Sequence, residues 1–307
     1  MWESGLKPIP SSISFNDFLT FLLFHLRTAS LVKNFLTFIR FSHTVFALPF
    51  ALGSMVVAAN GWPGWRVFGS ILLCMVFART AAMTFNRLAD WEIDKRNPRT
   101  AARHKLLGKG LAIAACTVSS LLFLGTTFFI NPLCFLLSPL ALAIIFFYSL
   151  TKRFTHAAQF FLGLALSVSP VGAWLAVTGS FAAPPLILAA GVLSWVAGFD
   201  IIYATQDLEA DQREGLRSLV VWLGVSKGLA LARLLHFILL IALLFFGVSA
   251  HLGSLYFFGL IPIPFLLFYE HRIASTLDLG KINKAFFETN AVVGLLFVVI
   301  VTLDRVF

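Results

Sequence analysis

Half of the chain's 14 acidic residues stand in two short stretches, and each stretch repeats a carboxylate at a spacing of four. The first reads Asn86-Arg87-Leu88-Ala89-Asp90-Trp91-Glu92-Ile93-Asp94; the second runs from Asp200 through Tyr203 and Asp207 to Asp211. On a helix turning about 100° per residue, Asn86, Asp90 and Asp94 share one face over two turns. Asp200, Tyr203, Asp207 and Asp211 likewise fall within about 80° of one another. Like charges one turn apart destabilise a helix unless something positive sits between them. Two such helices facing each other would converge four carboxylates, and an all-oxygen donor set suits Mg²⁺, which keeps some waters and favours carboxylates plus substrate phosphates. One pair alone reads equally well as a solvated helix end paired with loop arginines. Two copies, each with a polar residue upstream, favour the metal.

Basic residues near these stretches fit a phosphate. Arg79 lies seven residues before Asn86, on the same helical face and inside an apolar block, where an unpaired arginine costs about 2.5–3.5 kcal/mol. It is therefore expected to face the bundle interior. Tyr148 and Lys152 stand one turn apart, with Arg153 next in line. Carboxylate-bound metal together with Lys and Arg is a known way to neutralise a departing diphosphate, although Lys152 and Arg153 also read as charges that set membrane topology.

The elements that carry these residues are membrane spans. Of 307 residues, 59% are hydrophobic and 12% are charged, with mean hydropathy +0.90. A soluble domain carries about 25% charged residues, so an ordinary cytosolic enzyme is excluded. Apolar blocks of spanning length run at 35–59, 67–89, 110–130, 133–150, 158–179, 184–205, 229–249, 252–269 and 285–303. The expectation is an all-α polytopic membrane protein, a nine-helix bundle forming one domain over 1–307. Residues 1–30 read as a partly interfacial segment, with a short apolar run at Phe18–Leu26 that lacks the flanks of a cleavable signal.

The net charge of +9 would suggest nucleic acid in a soluble chain. Here the basic residues gather in the connections after the second, fourth, sixth and eighth blocks, and only Arg66 and Arg305 lie opposite. The positive-inside rule then places the N-terminus and both motifs in the cytoplasm and the C-terminus outside, and no nucleic-acid partner is implied. Cys74, Cys116 and Cys134 sit inside apolar blocks and read as reduced core residues.

With these residues in view, the chain resembles the UbiA superfamily of intramembrane aromatic prenyltransferases along nearly its whole length. Asn86 to Asp94, followed by Arg99-Thr100, looks like the family's NxxxDxxxD and RT; Asp200 to Asp211 looks like its DxxYxxxDxxxD. Tyr148 to Thr155 is similar to YxxxKRxT, with Gln159, Gly163, Pro170 and Trp174 following. The resemblance implies transfer of a polyprenyl group from polyprenyl diphosphate to an aromatic acid. Asn86, Asp90, Asp94, Asp207 and Asp211 would hold Mg²⁺; Arg79, Tyr148, Lys152 and Arg153 would stabilise the leaving diphosphate. Asp200 would pair with a cation or assist proton removal. Arg40, His43 and Thr44 are similar to a basic position near the family's acceptor pocket, where Arg40 would take the acceptor carboxylate; the other reading is that Arg40 snorkels and His43 is a core histidine.

Two departures stand out: Arg87 occupies a position where the family often has an acid, and the stretch after Arg103 lacks the usual proline-rich wording. The NRLAD, GFDIIYATQD and HTVFALPFAL stretches look closer to the menaquinone-type branch, so 4-hydroxybenzoate and 1,4-dihydroxy-6-naphthoate both stand as acceptors. A haem O or chlorophyll-type prenyltransferase and a cation-coupled transporter are the alternatives. A bacterial inner membrane is the expected location. No role is assigned to His236 or Glu288.

Overall fold

A computed structural model describes residues 32–96, 100–102 and 105–307. The expected interfacial segment at 1–30 and the motif residues Arg99 and Arg103 lie outside them.

All elements among the described residues are helical. In chain order they are α1 (Leu48–Ala58), α2 (Trp65–Ala89), α3 (Trp91–Arg96), α4 (Lys109–Ile130), α5 (Pro132–Thr151), α6 (Ala158–Thr178), α7 (Ala183–Ala204), α8 (Leu208–Arg213), α9 (Leu219–Ser249, kinked at Gly224), α10 (Ser254–Gly259), α11 (Pro262–Ala274) and α12 (Leu279–Val306). Eight stretches are long and apolar enough to cross a bilayer, with α10 and α11 together forming one of them.

The described residues hold eight helices of spanning length, so the expected count of nine is not confirmed, and the block at 35–59 is not one continuous helix. Residues 32–38 are helical, Arg40 turns the chain through a left-handed conformation (φ 47°), and a 3-10 turn follows at Phe41–Phe46. The helix restarts as α1 with Pro49 in its first turn. Proline has no N–H and is best tolerated in that first turn. The 11 residues of α1 rise about 16 Å, roughly half of a bilayer core. By contrast, Asn131 separates α4 and α5 cleanly: its Oδ1 accepts from the Cys134 N–H at 2.8 Å, its Nδ2 donates to the Leu175 carbonyl at 2.8 Å, and Pro132 takes the first helical position.

α7 lies at the centre, packed against α6 and α9. Gly163 on α6 makes the first of these contacts possible, since a Cβ there would collide with the backbone oxygen of Leu193. The core is aromatic: Phe50 stacks on Phe297 at 4.8 Å between ring centres and meets Trp195 at 5.0 Å. Phe129, Leu136, Phe245 and Phe258 point outward, as residues of a helical bundle do where the solvent is lipid.

Candidate active site

Both carboxylate motifs lie where a long helix gives way to a short one. α2 stops at Ala89, Asp90 caps it with φ −93° and ψ 13°, and α3 begins at Trp91. α7 stops at Ala204, passes through a 3-10 turn at Thr205–Asp207, and continues as α8. Neither motif is therefore the single straight helix that its spacing implies. The i+4 hydrogen bonds persist through the first break, from Asp90 N–H to the Asn86 carbonyl at 3.0 Å and from Asp94 N–H to the Asp90 carbonyl at 2.7 Å. The register survives, and Asn86, Asp90, Asp94, Asp200, Tyr203, Asp207 and Asp211 all line one polar cavity of about 220 Å³.

Arg40, His43, Arg79, Tyr148 and Lys152 line the same cavity. Arg153 does not. It sits beside the cavity, its Nη2 donating to Asp90 Oδ1 at 2.9 Å and to the Ala89 carbonyl at 2.7 Å. Arg87 Nη1 lies 3.6 Å from Asp94 Oδ2. Each carboxylate of the first motif is thus held by an arginine. Burial alone would push the Lys152 ammonium down, but Asp211, Asp200 and Asp207 around it raise it above the ordinary lysine value. Burial pushes the Asp90 carboxyl up, and the cations Lys152 and Arg153 only partly offset this.

A second cavity, of about 470 Å³, runs from the polar one into the apolar interior between α2, α5 and α6. His43, Arg79, Met83, Tyr148, Leu162 and Leu166 line both. Leu140 and Leu186, on the apolar cavity's outer rim, are 58% and 50% exposed, so this cavity opens toward lipid. On the other flank of the polar cavity stands an aromatic wall. Phe286 is its hub, with ring centres 4.7 Å from Tyr203, 5.2 Å from Phe199, 5.4 Å from Phe46 and 6.0 Å from His43.

The cavity's candidate metal ligands are five carboxylates and the Asn86 amide oxygen. Oxygen donors of this kind fit a hard divalent cation rather than a soft metal. Among the described residues no three His, Cys, Asp or Glu side chains form a ready metal cluster; Arg87, Arg153 and Lys152 stand among the carboxylates instead. The residues fit Mg²⁺ by donor chemistry.

The model of the UbiA prenyltransferase family matches residues 47–293. The chain belongs to the UbiA prenyltransferase family. It is 29% identical over 241 residues to the 4-hydroxybenzoate octaprenyltransferase of Marinobacter nauticus, covering 76% of this chain and 81% of that one. Its fold is similar to that of a UbiA homolog from Aeropyrum pernix K1, with a TM-score of 0.77, 27% identity, and coverage of 85% of this chain and 98% of that one. A UbiA homolog from Archaeoglobus fulgidus bound to DMAPP and Mg²⁺ shares the fold at a TM-score of 0.67 and 21% identity, covering 89% of this chain and 99% of the other. Like its relatives, this UbiA family member is an integral membrane protein.

Two groups of pocket residues in this UbiA chain escape the motifs. Arg87 reads in sequence as a lost acid, yet it is buried, lines the cavity and pairs with Asp94. Its signal is the spacing of seven to Asp94, which puts both on one helix face. Phe199 and Phe286 also line the cavity, and among 34 phenylalanines nothing in the sequence singles them out.

Proposed function

We propose that the protein moves a polyprenyl group from polyprenyl diphosphate to an aromatic acid, the prenylation step of quinone biosynthesis. The observation that carries this reading is the junction of the two cavities. A site with cations and carboxylates at one end and an apolar, lipid-facing tunnel at the other matches a substrate with a charged head and a long hydrocarbon tail.

Asn86, Asp90, Asp94, Asp207 and Asp211 would hold Mg²⁺, which when bound neutralises charge on the diphosphate oxygens. Lys152 and Arg79 donate to the same oxygens, and Tyr148 offers its hydroxyl at the mouth of the tunnel. As the bond between the allylic carbon and the diphosphate oxygen breaks, both electrons leave with the diphosphate. The allylic cation left behind meets the faces of Tyr203 and Phe46 in a site from which water is excluded. Arg40 binds the acceptor carboxylate as a guanidinium fork. The acceptor carbon beside the phenolic hydroxyl forms the new carbon–carbon bond, and Asp200 takes the proton that this carbon loses. The name of the Marinobacter nauticus relative supports 4-hydroxybenzoate as acceptor; the motif wording keeps 1,4-dihydroxy-6-naphthoate beside it. The distribution of basic residues supports a bacterial inner membrane with the charged cavity on the cytoplasmic side and the C-terminus outside.

The test is product analysis. Purified protein in detergent, given both acids and polyprenyl diphosphates of mixed length, is expected to form a prenylated acid with Mg²⁺ and none after chelation. Transfer to neither acid, with ion movement in liposomes, would overturn the reading in favour of a transporter.

A further inference from the structure

Behind the aromatic wall lies a buried polar cluster that the transfer chemistry does not use. His236 on α9, Glu270 on α11 and Asn290 on α12 are 2%, 1% and 0% exposed. Polar groups buried this deeply in a membrane bundle are costly and are kept for a reason. His236 Nε2 lies 3.3 Å from the carbonyl of Trp195 on α7. A carbonyl only accepts, so this nitrogen carries the hydrogen; in the neutral ring Nδ1 then accepts from His271 Nε2 at 3.0 Å. Asn290 spends both amide hydrogens, one on Glu270 Oε1 at 2.7 Å and one on the Phe286 carbonyl at 2.8 Å. Gly198, one turn beyond Trp195, leaves room for the imidazole, since a Cβ there would collide with it.

The two ends of this cluster are the two sides of the aromatic wall. On α7, Trp195 lies 5.0 Å from Phe199, and both touch Phe46. On α12, Phe286 sits one turn before Asn290 and closes onto Phe46, Phe199 and Tyr203. We propose that His236, Glu270 and Asn290 are positioning residues that clamp α7, α9, α11 and α12 so that Phe286 completes the seat of the aromatic acceptor. The clamp needs an acceptor oxygen at position 270, not a charge, because Glu270 Oε2 takes no hydrogen bond among the described residues.

This inference rests on the proposed transfer to an aromatic acid, and the experiment separates the two. KM for the acid and KM for the polyprenyl diphosphate are measured for the wild type, Glu270→Ala, Glu270→Gln, Asn290→Ala and Phe286→Leu. Glu270→Ala and Asn290→Ala are expected to raise the acid KM at least about tenfold and to leave the diphosphate KM within about twofold. Glu270→Gln is expected to restore the wild-type acid KM, and Phe286→Leu, which leaves the cluster intact, to reproduce the acid-specific rise. If the two KM values rise together, if Gln fails where Glu serves, or if Phe286→Leu leaves the acid KM unchanged, the clamp is overturned. Should the truncations not be recovered as folded protein, the Gln and Leu variants alone decide it. A wild type that prenylates no aromatic acid overturns the underlying reading instead.

Discussion

Lys152 and Arg153 are neighbours in sequence with opposite duties. Lys152 lines the cavity among three carboxylates, whereas Arg153 stands beside the cavity and holds Asp90. Lys152→Ala removes a charged donor to the diphosphate, worth about 1.5–3 kcal/mol. It should therefore raise the diphosphate KM about 10- to 100-fold while leaving the acid KM within about twofold; steady-state kinetics with each substrate varied in turn will check this. Arg153→Ala should instead lower the apparent affinity for Mg²⁺, because its carboxylate partner loses its orientation, by about 10- to 100-fold in an Mg²⁺ titration of diphosphate binding. Asp90 allows a third prediction. Its carboxyl is raised by burial, so the folded protein holds that proton more tightly than the unfolded chain, and stability increases as pH falls through the folded value. Asp90→Asn removes the charge that burial penalises; without metal at neutral pH it should raise the melting temperature while abolishing transfer. The site's charged residues were legible in the sequence because charge inside an apolar chain is rare enough to be informative. The partner of each charge was not. Arg153 reaches Asp90 and the Ala89 carbonyl from the end of α5 where α2 stops, a meeting of separate elements that spacing cannot reveal; only Arg87, seven residues before Asp94, carries a hint of its partner.

The long helices were legible for the same physical reason: a bilayer demands about 20 apolar residues in a row, and eight such stretches are where the hydropathy puts them. The interruption of the first block was not legible, because apolar composition says nothing about backbone direction. Arg40 and Pro49 divide that block, and the division sets Arg40, His43 and Phe46 along the polar cavity. Helix spacing was equally hidden. Gly163 lets α6 approach the backbone of α7, and α7 carries Asp200 and Tyr203 while α6 carries Leu162 and Leu166, all on the cavity. Gly163→Val should separate the pair, costing about 1–3 kcal/mol as overpacking does. The melting temperature in detergent should fall, and the diphosphate and acid KM values should both rise, since both cavities share that wall. A drop in stability with unchanged kinetics would show that α6 and α7 can part without opening the site.

On the scale of the whole molecule, the two cavities have different jobs, and they can be tested independently. The polar one, about 220 Å³, is lined by charged groups and aromatic rings, so in the proposed reaction it would take the head group and the acceptor. The apolar one, about 470 Å³, reaches exposed Leu140 and Leu186, so a long tail can fill it and continue into lipid. If so, the protein does not measure chain length at a closed end, and polyprenyl diphosphates above a minimum length should react with similar kcat/KM. Ala141 on α5 lines this cavity two helical turns before Tyr148, about 10 Å along the helix. Ala141→Phe puts a ring in the path of the tail without touching the head. Donors of one or two isoprene units should keep kcat/KM within about threefold, because their short tails stay near Tyr148. Donors of eight units should lose at least about tenfold, since a tail that cannot thread forfeits about 0.8 kcal/mol for each methylene kept from apolar surroundings. Comparing the donor-length series for wild type and Ala141→Phe is the measurement. A loss that does not vary with donor length, or no loss at any length, would separate the apolar cavity from the tail.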